Sequence, residues 1–218
     1  MVSTADEGRR LPVSDDASWC DQFAMLGVGP GGCIWFDFAL RPQAAVGQFR
    51  AVLLRPEGKP LVLVADELAL PRAGLEFRGS GIWVEAVCET PLVHWSFGLE
   101  AFALALDSPT ELAHTGMGHR EPFGWELEFE VDTVTSSSRG PQPWGSGYTQ
   151  TGELHGVILT DDGETPWAGR AIRGHIWGPD AAPPLQLNDR PDPPLGWVAV
   201  PGWQAVTVGQ DAGGVSVI

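Results

Sequence analysis

Five residues on two neighbouring β-like runs could do chemistry together: Tyr148 and Gln150 on one, Arg173, His175 and Trp177 on the other. They supply a phenol, an amide, a guanidinium, an imidazole and an indole. Between them these groups donate hydrogen bonds, hold negative charge and move protons. Tyr148 is the one tyrosine of the chain. The run Thr160–Thr165 (TDDGET) gathers them. Asp-Gly between β-like runs is the preferred centre of a two-residue type I′ turn, whose central positions both take positive φ. With Asp162 and Gly163 as that turn, Asp161 pairs with Glu164. Gly152 then lies opposite Arg173, Gln150 opposite His175 and Tyr148 opposite Trp177. Alternation with period 2 puts all five side chains on one face. Such a face can orient an apolar molecule in a cavity; the plainer alternative is a set of amphipathic side chains on a half-exposed sheet.

Further residues join as candidates. Glu100 sits in the apolar run HWSFGLEAFALAL, on the same face as His94 and Ser96. Desolvation there would suit it to donate a proton, whereas a strand-end carboxylate paired with an Arg is the alternative. Asp37 shares a face with Trp35 in CIWFDFAL and invites the same reasoning. His94, Trp95 and Asp37 are therefore taken with Gln150 and Trp177 as ligand-binding candidates, and Glu100 with His175, Arg173 and Tyr148 as catalytic ones. His114 and His119 lack an obvious third ligand and are expected to be solvated loop residues, so no metal site is assigned. In WELEFEVD, Trp125, Leu127, Phe129 and Val131 share one face and four carboxylates the other. Four like charges in a low-dielectric interior would be costly, so the acidic face is expected in water. The chain has no P-loop, GxGxxG, G-x-S-x-G or HExxH pattern, and no cofactor is expected.

The elements that must position these residues are strands. Cys33–Leu40, Gln48–Leu54, Pro60–Ala65, Leu75–Phe77, Ile82–Cys88, Val93–Leu106, Trp125–Val134, Tyr148–Leu159, Ala168–Trp177 and Trp197–Val208 read as β, separated by turn residues. Trp19–Leu26 could hold a helical turn or two ahead of the breaker run GVGPGG. Ser136–Ser146 reads as a loop and Pro179–Pro194 as an irregular crossover. About ten strands without βαβ spacing give an all-β, antiparallel barrel or sandwich. Residues 1–17 are polar and expected to be a loose N-terminal segment, with 18–218 a single barrel-like domain.

Composition narrows the function. The chain has 218 residues and a formal net charge of -15, with a single Lys among 13 basic residues. Nucleic-acid binding needs a basic stripe that such a chain lacks, and an anionic membrane surface is disfavoured for the same reason. Cys20, Cys33 and Cys88 are odd in number and show no CxxC spacing, which fits a reducing cytoplasm better than a disulfide framework. The start MVSTADEGRR has no apolar h-region, and no run approaches the roughly 18 apolar residues of a membrane span. A cytoplasmic location is expected, with a homodimer left open.

The stretch Gly147–Asp180 (GYTQTGELHGVILTDDGETPWAGRAIRGHIWGPD) resembles a motif of the carotenoid 1,2-hydratase (hydroxyneurosporene synthase)/AttH-like superfamily of lipocalin-type proteins. The matching positions are Gly147, Tyr148, Gln150, Gly152 and Gly156, then Gly169, Arg173, His175, Trp177, Gly178 and Pro179. His94–Val131 is similar to the same group more loosely. The chain departs from the pattern at Gly174, where the family carries Asp. The resemblance implies a calycin-like barrel with an apolar cavity. It also implies cofactor-independent chemistry on a hydrophobic polyketide or terpenoid: cyclisation, pericyclic reaction, isomerisation or hydration. A carrier of an apolar ligand that does not react it is the alternative.

Overall fold

Alternating apolar and polar residues make strands of most of the chain, and in the computed structural model these strands close on themselves. The structure describes residues 2–12, 16–107, 118–132, 138–142, 145–179, 197–198, 206–208 and 215–217. The main antiparallel sheet contains β1 (Trp19–Gly29), β2 (Gly32–Arg41), β3 (Val46–Leu54), β4 (Leu61–Ala69), β5 (Leu75–Gly79) and β6 (Ile82–Thr90). It continues with β7 (His94–Leu106), β8 (Gly118–Val131), β9 (Ser138–Gln142), β10 (Gly145–Thr160) and β11 (Gly163–Pro179). Their order is β4-β3-β2-β1-β11-β10-β8-β7-β6-β5, with β9 paired to β10 off this path. The far end of β7 returns to β4 through Leu61↔Ala105 and Val62↔Leu104. That pairing closes β4, β3, β2, β1, β11, β10, β8 and β7 into a ring, so the expected all-β antiparallel barrel forms. The closure is partial, since only Leu61 and Val62 of β4 pair with β7.

Eight strands enclose a space just wide enough for side chains to fill. Aromatic residues fill it. Phe23, Phe36, Phe38, Phe49, Phe97, Phe123 and Trp125 belong to one buried cluster. Within it the Phe36 and Trp125 rings lie 5.0 Å apart, as do those of Phe38 and Phe49. Glu126, Glu128 and Glu130 of β8 alternate outward, and Glu126 and Glu130 are exposed while Trp125, Leu127 and Phe129 are buried. On β1–β3 the outward face is buried as well: Ala24, Leu26, Cys33, Trp35 and Val52 form a second cluster. Burial on both faces explains why CIWFDFAL is apolar with no alternation.

Four expectations change. Trp19–Leu26 is strand rather than helix; its side chains are buried on both faces, and a continuous apolar run does not distinguish the two. The Ser136–Ser146 loop carries β9 at its centre. Trp197–Val208 is not one strand: β12 (Trp197–Val198), β13 (Val206–Val208) and β14 (Val215–Val217) form a separate small sheet. Finally, part of the N-terminal segment is anchored to the barrel. Thr4–Glu7 forms a 3-10 turn whose Asp6 and Glu7 are buried.

The 160–165 hairpin also turns one step earlier than expected. Thr160 pairs with Gly163 across Asp161-Asp162, and Gly163 (φ 100°) takes the left-handed conformation while neither Asp does. Glycine suits that position because it has no Cβ to clash. The β10–β11 register therefore moves by two residues, to Gln150↔Arg173, Tyr148↔His175 and Ser146↔Trp177. A shift of two preserves the face on which each side chain lies.

Candidate functional site

Alternation along β10 and β11 turns Tyr148, Gln150, Arg173, His175 and Trp177 to the inside of the barrel, at one end of its aromatic interior. All five are buried. The Arg173 guanidinium stacks over Trp95 at 4.7 Å and faces the Tyr148 ring at 5.4 Å. Its Nη2 donates to Glu7 Oε1 at 2.7 Å, to the Tyr148 hydroxyl at 3.1 Å and to Gln150 Oε1. Gln150 Nε2 donates to the Leu92 carbonyl at 3.1 Å.

A second pair sits beside it. The His175 ring stacks on Phe23 with centroids 3.8 Å apart. His175 Nδ1 donates to the Asp6 carbonyl at 2.8 Å, and Nε2 lies 2.7 Å from Asp21 Oδ1. Asp21 Oδ2 accepts the Arg10 backbone N–H at 2.6 Å. A carbonyl can only accept, so Nδ1 carries a proton, and the Nε2–Oδ1 contact holds another between imidazole and carboxylate. Arg10 lies 4.5 Å over the Trp177 ring and pairs with Asp6. Burial pushes the Tyr148 phenol well above its ordinary value, so it is a hydrogen-bond donor at neutral pH.

The interior next to these groups is nearly full. A void of about 10 Å³ remains, lined by Phe23, Met25, Phe36, Phe38, Trp95 and Arg173 among others. That is room for about one water. Arg173 Nε and Nη1 are buried and have no partner. Unsatisfied buried donors cost about 1–3 kcal/mol each, so this guanidinium is held at a cost to stability.

Of the other expected residues, Trp95 joins the site: its indole N–H donates to Glu7 Oε2 at 2.9 Å. Glu100 and His94 do not. Because Trp95, Phe97 and Leu99 fill the inward positions of β7, the even-numbered residues point out, and Glu100 is exposed. Glu100 is therefore no buried proton donor. His94 pairs with Glu128 on the outer surface at 2.5 Å. Asp37 is fully buried but outside the barrel, where Arg50 (2.9 Å) and Gln22 (2.5 Å) hold it. His119 is exposed beside Glu121 at 3.3 Å, and His114 lies outside the described residues. Among the described residues no group of three His, Cys, Asp or Glu side chains could hold a metal ion. No helix there is long and apolar enough to cross a membrane.

Sequence reasoning missed Asp6, Glu7, Arg10, Asp21 and Phe23. Once β1 is taken as a strand, Asp21 shares the inward face with Phe23 and Met25. Nothing local marks Glu7 as interior. Gly174 faces outward, opposite Thr149 and Ala24, so an Asp there would not enter the patch. Comparison with protein families, with curated proteins and with solved structures found no match.

Proposed function

We propose that this barrel binds a hydrophobic small molecule of polyketide or terpenoid type and promotes its cyclisation, isomerisation or hydration without a cofactor. One observation carries the reading: a buried ion pair, Arg173–Glu7, and a buried hydrogen-bonded pair, His175–Asp21, stand at the end of an aromatic interior. Desolvating such ions costs several kcal/mol each, and apolar side chains of similar volume would serve stability as well or better. Polar groups in that position suit a site. Arg173 and the Tyr148 hydroxyl would stabilise charge on a substrate oxygen, and the proton shared by His175 and Asp21 is available for transfer. Gln150, Trp95 and Trp177 would orient the substrate. The AttH-like motif at residues 147–180 falls on the same residues and supports the same class of chemistry.

The test is a gene deletion in the native host with metabolite profiling. The expected outcome is accumulation of an apolar precursor, cured by the wild-type gene and not by Tyr148→Phe. An unchanged profile would overturn the enzymatic reading. One observation favours a carrier instead: both His175 nitrogens are engaged by protein acceptors. A purified protein that binds the accumulated compound and returns it unchanged would establish that second reading.

A further inference from the structure

We infer that the polar end of the barrel is a carboxylate site, that the chain's own Glu7 occupies it as a tethered stand-in, and that the natural ligand is an apolar carboxylic acid which displaces the N-terminal segment. This inference rests on the proposed function, because it names the ligand class and the entry route of the same site.

Glu7 sits in a cradle built by the barrel. Its side chain is 4% exposed. Its oxygens accept from Arg173 Nη2 at 2.7 Å, Trp95 Nε1 at 2.9 Å and the Leu92 backbone N–H at 3.2 Å. These donors come from β11, from β7 and from the turn between β6 and β7. Among the described residues Leu92 is one of two non-glycine residues with positive φ, at 66°. A bulky residue in that conformation is strained, and such strain clusters at ligand clamps. Here it aims the Leu92 amide at the carboxylate, while Gln150 holds the Leu92 carbonyl.

The stand-in uses the cradle incompletely. An arginine carries one hydrogen on Nε and two on each Nη, a fork suited to both oxygens of a carboxylate. Glu7 engages Nη2 alone, and that nitrogen also faces Tyr148 and Gln150. Nε and Nη1 are left unpaired beside the void in the aromatic cluster. A free acid that takes Glu7's place on Nη2 could engage Nη2 and Nη1 bidentately and lay its apolar body against Trp19, Leu92, Tyr148 and Trp177, where Val2 now packs. Two carboxylates against one guanidinium in a low dielectric would repel, so the ligand's acid must replace Glu7 rather than join it. Replacement must also lift the cap, since Val2 packs on Trp19, Tyr148 and Trp177 at this end of the barrel and Asp6 and Arg10 bond to His175 and Asp21. The void is too small for a ligand while the cap is in place, so entry and displacement are one event.

The experiment uses the full chain with 11-(dansylamino)undecanoic acid and its primary amide as paired fluorescent probes. The acid should bind at least tenfold more tightly than the amide. It should also expose Arg9 and Arg10 to trypsin, read as faster release of the N-terminal peptide from the wild-type protein. Glu7→Gln weakens the stand-in and should tighten acid binding about tenfold, because a larger fraction of the chain is then open. The trypsin measurement needs no variant, so it decides the matter if Glu7→Gln folds poorly. Equal binding of acid and amide with the cap still protected would overturn the inference and leave the apolar-ligand reading intact. Failure of both probes on the wild type and on Glu7→Gln would overturn both, and would mean that Arg173 faces a single water.

Discussion

Arg173 and Glu7, 166 positions apart in the chain, meet at 2.7 Å inside the barrel with both side chains almost wholly excluded from solvent. The pair ties the last strand of the ring to the N-terminal cap. Removing one partner leaves a buried charge uncompensated, which costs about 3–5 kcal/mol. Arg173→Met should therefore lower the urea midpoint strongly, and Arg173→Met with Glu7→Gln should recover about 1–3 kcal/mol of that loss. Strictly additive losses in the double-mutant cycle would mean that the two residues do not interact.

Tyr148→Phe separates the site from the scaffold. It removes a hydroxyl and keeps the ring against His175 and Trp177. The expected stability cost is about 1 kcal/mol, or roughly 2–4 °C in Tm for a chain of this size. Ligand binding should fall at least tenfold. A variant that loses Tm and keeps its ligand would make the phenol a packing residue.

The thiols respond to burial. Cys20 and Cys33 are each pushed up to about 12 from 9.0, and Cys88, half-buried on β6, to about 11, chiefly by desolvation. Thiolate is the reactive form. At pH 8 a thiol reagent should modify Cys88 first, and Cys20 and Cys33 only on unfolding. The fold keeps protons that the unfolded chain releases above pH 9, so these groups add stability at neutral pH that is lost as pH rises from about 9 toward 12. Alkylation of Cys20 in the native protein at the rate of Cys88 would contradict the buried placement.

Asp37 titrates against its burial. Desolvation outweighs Arg50 and Gln22 and raises its carboxyl above the ordinary 3.8. The folded protein then holds this proton where the unfolded chain gives it up. Its contribution is full below pH 3.8 and declines as pH climbs through the folded value. Asp37→Asn has no proton to lose there, so its Tm should vary less than the wild type's between about pH 4 and pH 7. An identical pH profile for the two proteins would rule this assignment out.

The shared face of Tyr148, Gln150, Arg173, His175 and Trp177 was legible because it depends only on parity. The turn moved from Asp162-Gly163 to Asp161-Asp162, and the register slipped by two, yet each of the five stayed on its face. The Glu100 assignment failed for the same reason read the other way. Its run HWSFGLEAFALAL places Trp95, Phe97 and Leu99 inward, so Glu100 has to point out. Phe102 and Leu104, on the same face as Glu100, make the run look buried on both faces. Asp21 was hidden because β1 is buried on both sides and so shows no period.

Alternation, turn chemistry and composition thus determine the strands, the all-β class and the five-residue face, since each depends on neighbours a few positions apart. The tertiary structure alone decides that the ring closes through β4 and β7, that aromatic rings leave room for about one water, and that Glu7 completes the site from the far end of the chain. Pairing across 166 positions depends on where the closed barrel brings its ends. No local pattern around a short acidic segment such as TADEG encodes that meeting.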